Sequence, residues 1–140
     1  MNFPDGIEIS IEKSRLNVSL IHDFLTNSYW AKGRSKTRVQ KSIENSICYG
    51  VYINNEQIGF ARVLTDYVAF AYIMDVFILK DYRGNGYSKL LMTKILDHPE
   101  MHQVRKWFLG TKDAQGLYRQ FGFEETPVEI SWLHIPAEEM

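Results

Sequence analysis

The stretch DVFILKDYRGNGYSKLLM, Asp75 to Met92, decides the fold. Val76, Phe77, Ile78 and Leu79 form a short continuous apolar segment, which fits a strand buried on both faces better than a helix. Lys80, Asp81 and Tyr82 break it. From Gly86 onward Leu90, Leu91 and Ile95 recur at helical spacing, with Tyr87 and Met92 beside them, so the pattern predicts an amphipathic helix. Strand therefore passes to helix through Arg83, Gly84, Asn85, Gly86, Tyr87 and Ser88. At such a turn the N–H groups of the first helical turn point outward together, and glycine lets a ligand oxygen come close to them. Arg83 adds a cationic fork, and a phosphate-binding passage is the expectation.

Two familiar phosphate motifs do not fit. Gly84 and Gly86 begin a GxG pattern, but Lys89 stands where a dinucleotide fingerprint needs its third glycine. A P-loop closes on Gly-Lys-Ser or Gly-Lys-Thr, and here the residues are Gly86, Tyr87 and Ser88. An ordinary tight strand-to-helix connection would also use these glycines, so the loop needs a second signal.

That signal is LGTKDAQGLYRQFGF, Leu109 to Phe123. The Arg83–Ser88 loop, followed by Ala114, Leu117, Tyr118, Phe121, Gly122 and Phe123 at this separation, resembles the two central motifs of the GNAT N-acetyltransferase superfamily. The first is similar to its acyl-CoA pyrophosphate loop, the second to its helix carrying the tyrosine that meets the CoA sulfur. The resemblance runs from about Ile7 to the end and is carried by the pair of motifs. It implies an α/β (α+β) domain over 1–140: a mixed, mostly antiparallel sheet with a central V-shaped splay, flanked by about four helices. It also implies an acetyl-CoA cosubstrate in that splay, between the strand ending at Leu79 and the one ending at Leu109. On the same ground Val76, Phe77 and Ile78, the loop Arg83 to Ser88, and Thr111 become candidate cofactor contacts, Thr111 standing where many members carry an asparagine.

Composition agrees with one packed domain. The chain has 140 residues, 45% hydrophobic and 14% aromatic, enough for a real core. A formal net charge of -1 gives no general attraction to nucleic acid or anionic membrane. The start, MNFPDGIEIS, lacks the pattern of a signal peptide, and the apolar region around Val68 to Leu79 is too short to span a bilayer, so a cytoplasmic protein is expected. Its one cysteine, Cys48, forms no internal disulfide and reads as a buried, inert thiol.

Along the chain, Ile7, Ile9 and Ile11 alternate with polar residues as in a strand. Asn17 caps a helix bearing Val18, Ile21 and Leu25, and Thr37 with Gln40 suggests a capping box for a second, with Val39, Ile43 and Ile47 at helical spacing and an end near Asn45. The segment between, YWAKGRS, is a loop. The resemblance lays this region across the acceptor site, which makes Tyr29 and Trp30 candidate substrate contacts, with hydrophobic packing as the alternative. Tyr49 to Leu64 reads as a hairpin turning at Asn54 and Asn55, a further reversal leads into Phe70 to Leu79, and strands are expected at Val104 to Leu109 and Val128 to Ile135. Such a final strand could pair two copies, so a homodimer is expected by analogy. His98 and His102 are four apart but interrupted by Pro99, and no metal site is expected.

An amine attacking a thioester needs its oxyanion stabilised, its proton removed and its thiolate eased away. Strand-edge amides near Val76 to Ile78 suit the first task. The resemblance gives the last to Tyr118, as a hydrogen-bond donor, because full transfer from a phenol to a thiolate is uphill by roughly 2 kcal/mol. For the second, freeing an alkylammonium of its proton costs roughly 4 to 5 kcal/mol at neutral pH. Asp75, a charge inside an apolar strand, is the first candidate base and Asp66 the second, each with a structural alternative: an ion pair with Arg62 or a turn cap. The function expected is acetyl transfer to an amine of a small molecule or peptide in a ternary complex. The alternative is a non-catalytic acyl-CoA-binding regulatory domain.

Overall fold

In the computed structural model, residues 6–136 are described. Asn17 starts the first helix, α1 (Val18–Thr26), its side chain accepting the N–H of Leu20 at 3.1 Å. The second helix, α2 (Lys36–Glu44), is capped by Ser35, whose hydroxyl accepts the Arg38 N–H, and not by Thr37. Either hydroxyl can cap a helix, serine somewhat better than threonine, and the capping-box spacing misplaced this start by two residues.

The strands are β1 (Ile7–Ser10), β2 (Ile47–Ile53), β3 (Glu56–Thr65), β4 (Phe70–Ile78) and β5 (Lys106–Leu109), joined side by side in that order. β1 to β4 form an antiparallel meander, and β5 joins parallel to β4. The mostly antiparallel character follows from short reversals. At the β2–β3 hairpin Asn54 and Asn55 take φ values of 50° and 69°, a conformation asparagine tolerates. Helix α3 (Tyr87–Leu96) then runs back before β5.

Helices α1 and α2 bury Ile21, Leu25, Val39 and Ile43 against Cys48, Phe60 and Phe77 of the sheet. Tyr49 follows Cys48 and points to the opposite face, where its hydroxyl meets His98 Nδ1 at 2.8 Å just beyond α3. The sheet is thus covered on both faces, with α3 against β2 and β4. Cys48 is 1% exposed, and burial pushes its thiol up to about 11, as an inert core residue requires.

The chain divides into two compact units between Gly110 and Thr111. The second contains α4 (Gln115–Arg119) and an irregular continuation. No strand forms over Val128 to Ile135 among the described residues; Val128, Leu133 and Ile135 are more than nine-tenths exposed. β-propensity without a partner does not make a strand, so the edge expected to join two copies is not formed there. Among the described residues no helix is long and apolar enough to cross a membrane.

Candidate active site

β4 is paired on both edges only through its first half. Phe70 to Ile73 face Lys106 to Leu109 of β5, and beyond Ile73 that edge has no strand partner among the described residues. On its other edge β4 stays with β3, but Phe60 faces Phe77 while Arg62 faces Met74, so Asp75 and Val76 together oppose the single Ala61. This is a β-bulge, and Asp75 absorbs it with a φ of 54°. Aspartate is among the few residues that tolerate such a value. Past the bulge, Leu79 donates its N–H to Ile58 of β3 at 2.8 Å. Strand amides alternate sides, so Phe77 also turns its N–H toward β3, while Val76 and Ile78 direct theirs to the open edge. Of the three expected amides, two therefore face the gap and Phe77 does not.

The bulge aims the Asp75 carboxylate into a set of donors. One oxygen accepts from Arg62 Nε and from Arg34 Nη1, each at 2.9 Å, and the other accepts from the Trp30 indole N–H at 3.0 Å. The Asp75 side chain is 2% exposed, that of Arg62 10% and that of Arg34 20%. Arg62 further donates to the Ser46 hydroxyl. A buried carboxylate needs this pairing. The residue expected as a base is thus an ion-pair centre. Three of its roughly four lone-pair sites hold protein donors, and taking up a proton would discharge the partner of two guanidinium groups.

Around it the Tyr29–Arg34 loop is fixed by local bonds. Ser28 donates its hydroxyl to the Leu25 carbonyl and accepts the Ala31 N–H, while the Gly33 N–H reaches Thr26 and that of Arg34 reaches Ala31. Trp30 packs beside Phe24, which stacks on Phe77 at 4.0 Å, and Tyr29 meets Trp30 edge-on. Both expected substrate residues keep exposed surface, 60% for Tyr29 and 40% for Trp30. Arg34 is a partner of Asp75 that no expectation from the sequence named. The available signal was the lone acid inside an apolar strand, which demands cations from elsewhere in the chain.

After β4, Arg83 donates Nε to the Ile78 carbonyl at 2.9 Å, which anchors its guanidinium at the strand end. Gly84 and Gly86 have φ values of 83° and 82°, a region closed to most side chains. Gly86 is the N-cap of α3 and offers no side chain to satisfy the first-turn amides, which lie outside the helix's own ladder. Asn85 turns its amide group back to the Tyr82 carbonyl, bracing the loop. Tyr87 is 5% exposed, so its ring packs into the core at the start of α3.

Asp66, the second candidate base, caps the turn before β4. One oxygen accepts the N–H groups of Val68, Ala69 and Phe70, and these bonds, Val68's foremost, hold its carboxyl below the usual range. That makes it a weaker base. In the second unit the Thr111 hydroxyl accepts the Ala114 N–H at 3.0 Å at the entry to α4. Tyr118 lies on α4, 9% exposed, with its ring edge-on to Phe123.

Comparison with known proteins bears on the whole arrangement. Residues 17–123 match the Acetyltransferase (GNAT) family. A crystal structure of a proposed GNAT-family acetyltransferase from Xanthomonas campestris pv. campestris is 38% identical, with 96% of each chain covered and a TM-score of 0.88. A GNAT family acetyltransferase from Elizabethkingia anophelis, solved with acetyl-CoA bound, shares the fold at 19% identity and a TM-score of 0.68, over 89% of this chain and 80% of that one. A proposed acetyltransferase of Gibberella zeae is 26% identical over 132 residues, 79% of this chain and 74% of its own. The chain belongs to the GNAT family of acetyltransferases.

Proposed function

We propose that this protein transfers the acetyl group of acetyl-CoA to an amine, by direct attack in a ternary complex. The observation that carries this reading is the half-paired β4 running into the Arg83–Ser88 loop. A strand edge with free amides, a fixed arginine and an uncapped helix N-terminus follow one another within about a dozen residues. A pyrophosphate suits the helix start and Arg83, through backbone N–H groups and a charge-assisted contact. A thioester carbonyl suits the edge amides of Val76 and Ile78, which stabilise its oxygen as it becomes an oxyanion. The amine enters as its free base, its nitrogen bonds to the carbonyl carbon, the C–S bond breaks, and the proton shed by the nitrogen ends on the departing thiolate, giving the amide and CoA as its thiol. We assign Tyr118 the hydrogen bond that eases this departure. Asp75 acts as a positioning residue that holds Trp30 and Arg34, and Asp66 as a turn cap. The two units act as one acetyltransferase domain, since the family match runs from 17 to 123 across their boundary.

The test is calorimetric titration with acetyl-CoA and CoA, with ATP and NADH as controls. Selective binding of the CoA compounds, lost in Gly86→Val and weakened in Arg83→Ala, is the expected result. Equal binding of the controls, or none of the CoA compounds, overturns the reading. Tyr118→Phe separates catalysis from binding: turnover falls while acetyl-CoA affinity stays. A normal rate in that variant would remove the role given to Tyr118, whereas acetyl-CoA binding by the parent with no turnover of any amine would make a regulatory acyl-CoA binder the better description.

A further inference from the structure

We infer that the acceptor carries a carboxylate or similar anionic group, and that Arg34 is the residue that recognises it. The inference rests on the acetyltransferase reading and narrows its substrate class.

Charges around the Tyr29–Arg34 loop could favour either sign of acceptor: Lys32 and Arg34 an anion, Asp66 and Asp75 a cation. The structure takes Asp75 out of this balance and sets Asp66 apart from it. Asp66 keeps its charge but is tied to three N–H groups of the turn before β4, roughly 15 Å of strand from Asp75 and beyond the screening length of about 8 Å. Asp75 is matched by two guanidinium groups, so the Asp75–Arg62–Arg34 cluster retains one net positive charge in a partly buried place. The two arginines differ in what they have left. Arg62 is nine-tenths buried, with Nε on Asp75, Nη1 on Ser46 and Nη2 near the Met74 sulfur. Arg34 reaches Asp75 through Nη1 alone, and its Nε and Nη2 have no acceptor among the described residues. A guanidinium held at one corner presents its remaining N–H groups in a fixed fork, the geometry that takes a carboxylate. Orientation costs little, because the ion pair and the loop already impose it. Beside it Trp30 and Tyr29 offer exposed aromatic surface for the organic part of the same molecule.

The probes are phenylacetate, the neutral phenylacetamide and the cationic phenethylammonium, titrated into the full chain while the indole N–H resonance of Trp30 is followed by NMR. Phenylacetate is expected to shift that resonance saturably, and the other two to bind at least tenfold more weakly. Arg34→Gln should abolish the preference for phenylacetate. Arg34→Lys, which keeps charge without the fork, should restore it in part. Lys32→Gln, an exposed cation of the same loop, should change nothing. Equal binding of all three probes, or equal losses in the Lys32 and Arg34 variants, overturns the proposal.

Acetyl-CoA titration of the same samples keeps the two readings apart. Acetyl-CoA binding without discrimination among the probes leaves the transferase standing and removes the anionic acceptor. Saturable phenylacetate binding without acetyl-CoA binding removes the transferase and leaves Arg34 as an anion site.

Discussion

Two aspartates bracket β4, and their surroundings show how one residue type can organise either a turn or a site. Asp66 stands at the reversal before the strand and gathers the amides of residues two to four positions ahead. Asp75 stands in the bulge and gathers Trp30, Arg34 and Arg62, from a loop and a neighbouring strand 13 to 45 positions away. The first carboxylate is exposed and shapes only its own turn. The second is buried and ties the Tyr29–Arg34 loop to the strand whose edge amides face the gap. Local bonding spends an acid on the backbone, whereas a bulge can deliver one to distant side chains.

The sharpest way to break this comparison is to ask whether either acid removes the acceptor's proton. If neither does, kcat/KM should climb about tenfold per pH unit up to the pKa of the acceptor amine itself, set only by the fraction of free amine. A plateau well below that value, abolished in Asp75→Asn, would make Asp75 the base after all.

Next in size is the stability of Asp75→Asn. Asparagine tolerates the positive φ of the bulge, so the substitution removes charge and leaves the backbone alone. Two guanidinium groups would then lack their partner, at a cost of about 3–5 kcal/mol in urea unfolding. Trp30→Phe deletes one donor from the same cluster while keeping an aromatic ring. Because Trp30 is 40% exposed, the expected loss is nearer 1 kcal/mol. A loss as large as that of Asp75→Asn would mean that the indole, and not the ion pairs, holds the loop.

Smallest is Asp66→Asn, which should be nearly silent at neutral pH because the amide oxygen still caps the turn. Its effect lies in acid. The folded carboxyl is held below its unfolded value, so its contribution is present above that unfolded value and is lost as pH falls through the folded one. The variant should show a flatter decline of Tm with acidification than the parent. An identical decline would mean that these three hydrogen bonds do not distinguish folded from unfolded chain.

Much of the fold was legible because its signals are local. Asn17 capping α1, the Asn54–Asn55 hairpin and the passage from β4 through Gly84 and Gly86 into α3 all depend on residues within a few positions of one another. The last strand was not legible, because Val128 to Ile135 has the composition of a strand and pairing is a property of neighbours. Thr37 and Ser35 were indistinguishable as caps for a similar reason: either hydroxyl can do it, and only the path of the chain selects one.

For the site the division is the same. The sequence by itself determined the family, through two motifs whose glycines, arginine and tyrosine stand in order, and it marked Asp75 as a charge that apolar surroundings would not leave alone. Only the tertiary structure decided what that charge does. Ion pairs between Asp75, Arg34 and Arg62 are set by a bulge and a loop that meet across the sheet face, and one extra residue in a strand changes where every later side chain and amide points.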